Sequence, residues 1–154
     1  MSKMLRTIIV DDEPLARKGL AVRLIEHKDV DIIAQCSNGR EAIEAVRAYK
    51  PDLMFLDIQM PGLDGFEVVQ SIIDQGINLP MVVFVTAFDQ YALKAFDVHA
   101  LDYLMKPADE ARLAKTLDKV RESSQSQENA SHKSKLVRLV SDVTGNDYKD
   151  ILAD

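Results

Sequence analysis

The sequence predicts an α/β fold in which helices cover both faces of a doubly wound, five-stranded parallel sheet. Over the first 122 residues, short apolar runs alternate with longer segments of helical character. Most of the short runs are continuously apolar, as expected for strands that are buried on both faces of a parallel sheet. Five such β-α units in succession imply right-handed crossovers between neighbouring strands.

The predicted elements follow from these patterns in order. We predict strands over 5–10, 31–36, 52–57, 81–86 and 101–105. Helices are predicted over 14–27, 39–49, 65–75, 90–98 and 109–122. Asn38 and Asp109 occupy N-cap positions. The first helix shows an apolar stripe at helical spacing, formed by Leu15, Ala16, Leu20, Leu24 and Ile25.

The character of the chain changes after this unit. We interpret residues 1–122 as one domain and the polar stretch SSQSQENASHKS, within 123–134, as a linker. Residues 135–154 are apolar again but too few for an independent domain. We interpret them as a continuing helix, or as the start of an output domain that this chain does not contain.

The composition excludes several classes of protein. A formal net charge of −6 argues against a nucleic-acid surface, which needs clustered Lys and Arg. The longest apolar stretch is too short to span a bilayer, and aspartates interrupt the N-terminal region where a signal peptide would remain apolar. The single cysteine, Cys36, cannot form an internal disulfide. We therefore expect a cytoplasmic protein with no membrane partner.

Acidic residues follow two of the predicted strands. Asp11 and Asp12 end the first strand, and Asp57 ends the third. In an open α/β sheet, ligands bind outside the carboxyl ends of the strands, so these carboxylates are expected to share one crevice. Oxygen ligands without imidazole or thiolate favour a hard cation such as Mg²⁺. Taken singly, an acid at a strand end is more often a helix N-cap than a catalytic residue.

Two further strand ends complete a site for phosphoryl transfer. Thr86 closes the fourth strand with a hydroxyl that can hydrogen-bond a phosphoryl oxygen, and Lys106 follows the fifth strand with a compact cation. In phosphoryl transfer, a metal ion neutralises the phosphoryl oxygens while a nearby carboxylate attacks the phosphorus atom. Chance would rarely place these residues at the ends of four different strands.

These motifs resemble the receiver domain of bacterial two-component response regulators. The resemblance covers residues 5–122 and includes Asp11-Asp12, LDIQMPGLDG, Thr86-Ala87, Tyr103 and Lys106-Pro107. It implies a flavodoxin-like sheet with the strand order 2-1-3-4-5. It also implies that a sensor histidine kinase phosphorylates Asp57, that Thr86 and Lys106 contact the phosphoryl oxygens, and that Thr86 and Tyr103 form the switch. The implied Mg²⁺ ligands are Asp12 and Asp57 directly, Asp11 through water, and Gln59 through its backbone carbonyl.

The segment TAFDQYALKAFDVHALDYLMKP resembles receivers that are joined to LytTR-type DNA-binding domains. This resemblance implies a transcription regulator that reaches DNA through an output domain, with no nucleic acid bound by this chain itself. The resemblance to receiver domains also implies a phosphorylation-dependent homodimer through the helix over 90–98, the strand over 101–105 and the helix over 109–122.

Three alternatives remain open. An aspartate-nucleophile phosphatase needs a second Asp two residues after the nucleophile, where this chain has Gln59. A dinucleotide-binding or flavodoxin-like module needs a glycine- or hydroxyl-rich loop after the first strand, where this chain has DDEP. A stand-alone receiver that acts by protein contact is the third. We therefore expect a phosphoacceptor rather than an enzyme.

Overall fold

The structure, a computed structural model, describes residues 4–87, 103–123 and 126–145. Five strands lie within these residues: β1 (Leu5–Val10), β2 (Val30–Cys36), β3 (Leu53–Asp57), β4 (Met81–Thr86) and β5 (Tyr103–Met105). They form one parallel sheet in the order β2-β1-β3-β4-β5. The predicted doubly wound fold is therefore confirmed.

The described part of the chain contains five helices: α1 (Pro14–Ile25), α2 (Gly39–Tyr49), α3 (Gly65–Asp74), α4 (Glu110–Ser123) and α5 (Ser126–Thr144). The helix predicted over 90–98 lies outside the described residues, as do positions 101 and 102 of the predicted fifth strand. Among the helices described, none combines the length and apolar character that crossing a bilayer requires.

The N-caps predicted from the sequence are confirmed. The Asn38 side chain accepts a hydrogen bond of 2.9 Å from the backbone N–H of Glu41. Asp109 accepts one of 3.1 Å from the N–H of Arg112. A capping box built on Asp64 starts α3 directly after the loop that follows β3. These side chains satisfy backbone donors that a helix start leaves without partners, and so they fix where each helix begins.

The sheet divides the apolar core into two layers. Helices α2, α3 and α5 cover one face, and α1 and α4 cover the other. Because successive strand residues point to opposite faces, Val82 and Phe84 pack in the first layer while Val83 and Val85 pack in the second. This double coverage explains why the strands are continuously apolar.

The apolar stripe predicted for α1 is only partly right. Leu20 and Leu24 are buried against the sheet, whereas Leu15 and Ile25 are 84% and 70% exposed. The buried residues share one side of the helix with Ala21, and Leu15 lies on the opposite side at 3.6 residues per turn. The exposed Leu15 therefore belongs to a surface rather than to the core.

The residues after Ser123 differ from the expected linker. They are helical from Ser126, and α5 extends to Thr144. Four apolar side chains of α5 are buried in the layer formed by α2 and α3, namely Leu136, Val137, Leu139 and Val140. This packing stabilises a helix whose first turns are polar, which local composition does not reveal. The division of the chain into domains stays a prediction.

Candidate functional site

Polar side chains from four strands meet at one edge of the sheet. Asp11 follows β1, Asp57 ends β3, Thr86 ends β4 and Lys106 follows β5. The parallel register of these strands places their carboxyl ends side by side. The residue types predicted from the strand ends are therefore brought to one place by the fold.

Lys106 lies at the centre of this edge and contacts three carboxylates. Its Nζ is 3.1 Å from Asp57 Oδ2, 3.0 Å from Asp11 Oδ2 and 2.8 Å from Glu13 Oε1. The Lys106 side chain is only 15% exposed. Mostly buried ion pairs are screened little by solvent, so these contacts fix the ammonium between the strands.

Four acidic side chains form a cluster around Lys106. Asp11, Asp12, Glu13 and Asp57 each offer a carboxylate oxygen, and these oxygens lie within 4.8 Å of one another. Asp11 and Asp57 are buried, whereas Asp12 is partly exposed and Glu13 is exposed. Hard oxygen donors with access to water suit Mg²⁺, which keeps several water ligands in proteins. The donor set of this acidic cluster therefore fits the metal that the sequence predicts.

The electrostatics of the cluster are dominated by burial and carboxylate repulsion. Burial, and next the charge of Asp11, raise the pKa of Asp57 to about 7 against the opposing charge of Lys106. The hydrogen bond from Lys106 lowers the pKa of Glu13. Burial disfavours the Lys106 ammonium, yet hydrogen bonds to Glu13 and Asp11 raise its pKa above the ordinary value. A further cation would relieve the repulsion that Asp57 experiences.

The loop after Asp57 donates a hydrogen bond to this carboxylate and packs closely against the end of β3. The backbone N–H of Gln59 donates a hydrogen bond of 3.2 Å to Asp57 Oδ1. At Gly65, a Cβ atom would lie 2.6 Å from the carbonyl oxygen of Asp57 and 3.0 Å from the Cα of Ile58. Only glycine lets α3 begin this close to the end of β3. The role predicted for the Gln59 carbonyl stays a prediction.

The two residues predicted to form a switch lie on adjacent strands. Thr86 is fully buried, and its hydroxyl donates a hydrogen bond of 2.6 Å to the carbonyl oxygen of Ala87. Tyr103 is partly buried against the layer of α2, α3 and α5. The guanidinium carbon of Arg112 lies 5.8 Å from the centre of the Tyr103 ring. The movement of Thr86 and Tyr103 stays a prediction.

Sequence reasoning missed Glu13. The acidic run before Pro14 is also typical of a helix start, and Glu13 is indeed the N-cap residue of α1. It makes no side-chain cap hydrogen bond, however, and its carboxylate contacts Lys106 instead. The available signal was a third acid directly after Asp11 and Asp12.

The chain belongs to the response regulator receiver domain family, because residues 7–118 match the sequence profile of that family. Receiver domains of response regulators are phosphorylated by histidine kinases within two-component systems, and they generally bind Mg²⁺ at an acidic pocket. The position of the acidic cluster at the carboxyl edge of the sheet agrees with this membership.

Known relatives extend the comparison. The transcriptional regulatory protein BtsR of Escherichia coli (strain K12) is 51% identical over 125 residues, which are 81% of this chain and 52% of BtsR. The response regulatory domain of protein mrkE from Klebsiella pneumoniae is 34% identical with a TM-score of 0.66, covering 79% of this chain and 98% of that domain. The REC domain of AraT from Geobacillus stearothermophilus is 26% identical with a TM-score of 0.69, covering 81% of this chain and 98% of that domain.

The chain spans about half the length of the curated relatives it matches. The similarity to these curated proteins therefore concerns the receiver.

Proposed function

We propose that Asp57 accepts a phosphoryl group from a phosphohistidine of a sensor histidine kinase and that the receiver then changes conformation to control an output domain. The observation that carries this proposal is the contact of Lys106 with both Asp57 and Asp11 inside the acidic cluster. A buried carboxylate that faces a lysine at the carboxyl edge of a parallel sheet is placed to act as a nucleophile.

In the proposed transfer, a carboxylate oxygen of Asp57 attacks the phosphorus atom. The new O–P bond forms as the P–N bond breaks, and the departing imidazole nitrogen keeps the electron pair and takes up a proton. Lys106 already bonds Asp57 Oδ2, so its charge can offset the negative charge of the phosphoryl oxygens. Thr86 supplies a second donor once its hydroxyl leaves the carbonyl of Ala87.

The acidic cluster is the proposed Mg²⁺ site. Asp12 and Asp57 would hold the ion directly, Asp11 would do so through water, and the Gln59 backbone carbonyl would complete the protein ligands. Glu13 adds a fourth carboxylate to this set. When bound, Mg²⁺ supplies positive charge that neutralises the carboxylates and the phosphoryl oxygens.

Phosphorylation would set the conformation of the switch. It adds roughly −1.5 to −2 charges and three strong acceptors at Asp57. The Thr86 hydroxyl would turn toward the new oxygens, and the Tyr103 ring would move into the space that Thr86 leaves. The two side chains lie two residues apart along neighbouring strands, since Tyr103 pairs with Phe84 and Thr86 pairs with Met105.

Incubation of the chain with acetyl phosphate and Mg²⁺ tests the proposed acceptor. We expect the intact mass of the wild type to rise by that of one phosphoryl group, and Asp57→Asn to stay unmodified. Asp31→Asn, which alters an exposed carboxylate of β2, serves as the matched control and should be modified like the wild type. A wild type that gains no phosphoryl group, or an Asp57→Asn variant that gains one, would contradict the proposal.

We further infer that the output is transcription regulation through a LytTR-type DNA-binding domain. BtsR is described as a transcriptional regulatory protein, and this chain covers 52% of its length. The segment that follows Thr86 resembles receivers joined to such domains. In this proposal the receiver binds no DNA itself, and its net charge of −6 agrees with that.

Two surfaces are proposed for protein partners. Helix α1 exposes three large apolar side chains, Leu15, Val22 and Ile25, and Leu15 lines a cavity together with Asp11, Glu13 and Lys106. We assign this surface to the sensor kinase, because a docked partner there would reach Asp57. The proposed homodimer uses the segments 90–98, 101–105 and 109–122, of which the structure describes β5 and α4.

The competing enzyme hypothesis predicts a different outcome. An aspartate-nucleophile phosphatase would hydrolyse small phosphate esters repeatedly, whereas a receiver would not. Gln59 cannot donate the proton that such an enzyme needs, and its backbone N–H is bound to Asp57. We therefore propose a phosphoacceptor without small-molecule turnover. A stand-alone receiver would differ from a transcription regulator in having no DNA-binding segment in its full-length protein.

A further inference from the structure

Helix α5 is an integral part of one layer of the fold. Its buried side chains share a cluster with residues of β4 and α3, and three of them are fully buried: Leu136, Leu139 and Val140. The exposed side of the same helix carries Arg138. The helix therefore covers β4, the strand that ends in Thr86.

A polar contact ties the first half of α5 to β4. His132 Nε2 accepts a hydrogen bond of 3.1 Å from the backbone N–H of Val82. In the part of the chain that the structure describes, the pairing of β4 with β5 begins at Phe84, two residues later. The imidazole thus satisfies a strand donor that would otherwise need another partner.

The second half of α5 reaches the loop that follows Asp57. Val143 lines a cavity together with Ile58, Gln59, Met60 and other residues of this loop. The N–H of Gln59 is itself bound to Asp57 Oδ1. One helix therefore contacts both the strand that carries Thr86 and the loop that holds the carboxylate of Asp57.

Two of the groups that the proposed phosphorylation moves lie in or beside the layer that contains α5, and the third, Thr86, ends the strand that α5 covers. A phosphoryl group on Asp57 must share or displace the N–H of Gln59, beside Val143. The Thr86 hydroxyl must leave Ala87 at the end of β4. Tyr103 packs against the cluster that contains the buried side chains of α5, so its rotation changes the packing of this layer. Phosphorylation of Asp57 is therefore expected to alter the surroundings of α5.

We propose that α5 is a detachable helix, docked on β4 and α3 while Asp57 is unmodified and released when Asp57 is phosphorylated. This inference rests on the proposed function of Asp57. Because coupling between two equilibria is reciprocal, release of α5 must in turn favour phosphorylation or the binding of a phosphoryl analogue. The receiver then transmits its state through α5.

Hydrogen exchange of the full chain tests the release. With Mg²⁺ alone, the amides of residues 132–143 should be protected, and beryllofluoride should lower their protection at least tenfold. Fluorine NMR of bound beryllofluoride reports independently on the Asp57 site. If no bound signal forms, the proposed function fails. If the signal forms and the protection of α5 is unchanged, the detachable helix is overturned while the proposed function stands.

Variants of α5 test the reciprocal effect. Leu139→Glu places a charge in the buried layer, and we expect it to lower protection of α5 without beryllofluoride and to reduce several-fold the beryllofluoride concentration for half occupancy. Arg138→Glu, at the exposed neighbouring position, should change neither quantity. His132→Ala removes a largely buried imidazole together with its contact to Val82 and should act in the same direction more weakly, so it decides the test if Leu139→Glu does not fold. If a variant loses the protection of α5 but binds beryllofluoride no more tightly than the wild type, the proposed coupling is overturned.

Discussion

At the scale of single residues, the site is a problem of charge compensation. Three carboxylates contact the ammonium of Lys106, and two of them, Asp11 and Asp57, are buried. The raised pKa of Asp57 has its origin in this burial and in the charge of Asp11. Lys106 therefore has two roles: it stabilises the carboxylates of the unmodified protein, and it is proposed to offset phosphoryl charge during transfer.

Replacing Lys106 separates these roles. Without Mg²⁺, we expect Lys106→Gln to lower the free energy of unfolding by about 1–3 kcal/mol, because two buried carboxylates lose their compensating charge. Urea denaturation in EDTA measures this loss. Mg²⁺ should restore part of it, since the ion supplies positive charge. Lys28→Gln, at an exposed position, should unfold like the wild type. Equal stability of Lys106→Gln and wild type in EDTA would show that Lys106 does not stabilise the cluster.

Gly65 is a second residue-scale test. A Cβ at this position would overlap the backbone of Asp57 and Ile58. We expect Gly65→Ala to lower the free energy of unfolding by about 1–3 kcal/mol through overpacking, and to slow phosphorylation by acetyl phosphate because the loop must shift. Gly19→Ala is the control, since its Cβ would meet only the end of the Arg23 side chain at 3.3 Å. An unperturbed Gly65→Ala variant would refute the steric argument.

At the scale of elements, the sequence predicts best what local patterns determine. The bounds of β1 and β4 are as predicted, because Asp11 and Asp12 follow the β-rich run of β1 and Pro80 precedes the apolar run of β4. The starts of α2 and α4 follow from Asn38 and Asp109. The helix from 135 to 144 agrees with the continuing helix that is one interpretation of this segment. The docking of α5 and the helical state of 126–134 could not be predicted, because the first turns are polar and depend on packing against β4 and α3.

The same limits apply to the site. Asp11, Asp57, Thr86 and Lys106 could be placed together because parallel strand ends converge. The contact of Glu13 with Lys106 depends on the path of the turn between β1 and α1, which no residue pattern specifies.

The docking of α5 should depend on pH through His132. Burial, and next the charge of Lys135, lower the pKa of His132 to about 4 from an ordinary value of 6.5. The neutral imidazole accepts from Val82, so the docked fold disfavours protonation. The contribution of His132 to the free energy of unfolding is therefore complete above pH 6.5 and is lost as the pH falls toward 4. The loss at pH 5 amounts to about 2 kcal/mol.

Urea denaturation across this pH range, on wild type and His132→Gln, isolates the effect. Carboxylates titrate in both proteins and cancel in the difference. At pH 7.5 the wild type should have a larger free energy of unfolding than His132→Gln. This difference should become smaller as the pH falls from 6.5 to 4.5. A stability difference that is constant with pH would show that His132 does not titrate on undocking.

At the scale of the whole molecule, different helices cover the two faces of the sheet. One layer contains α2, α3 and α5, and the other contains α1 and α4, while the site lies at the edge that both layers share. Tyr103 lies on β5 and packs against the layer that contains α5, so a change at Asp57 can reach both α5 and the surface of β5 and α4. Hydrogen exchange reports on the release of α5 and sedimentation reports on the dimer.

The proposed dimer is the last prediction. We expect the wild type with Mg²⁺ to sediment as a smaller species without beryllofluoride and as a dimer with it, because the switch at Thr86 and Tyr103 alters the surface of β5 and α4. Asp57→Asn should not respond.

Arg112→Glu reverses a charge beside Tyr103 on this surface and should bind beryllofluoride, as fluorine NMR reports, without dimerising. Lys50→Glu changes the charge by the same amount at the exposed end of α2, in the other layer from α4, and should dimerise like the wild type. If Arg112→Glu dimerises as the wild type does, the dimer does not use this surface. If bound beryllofluoride leaves the wild type unchanged in sedimentation, the receiver signals without self-association, and the release of α5 is then the route by which the state of Asp57 would reach an output domain.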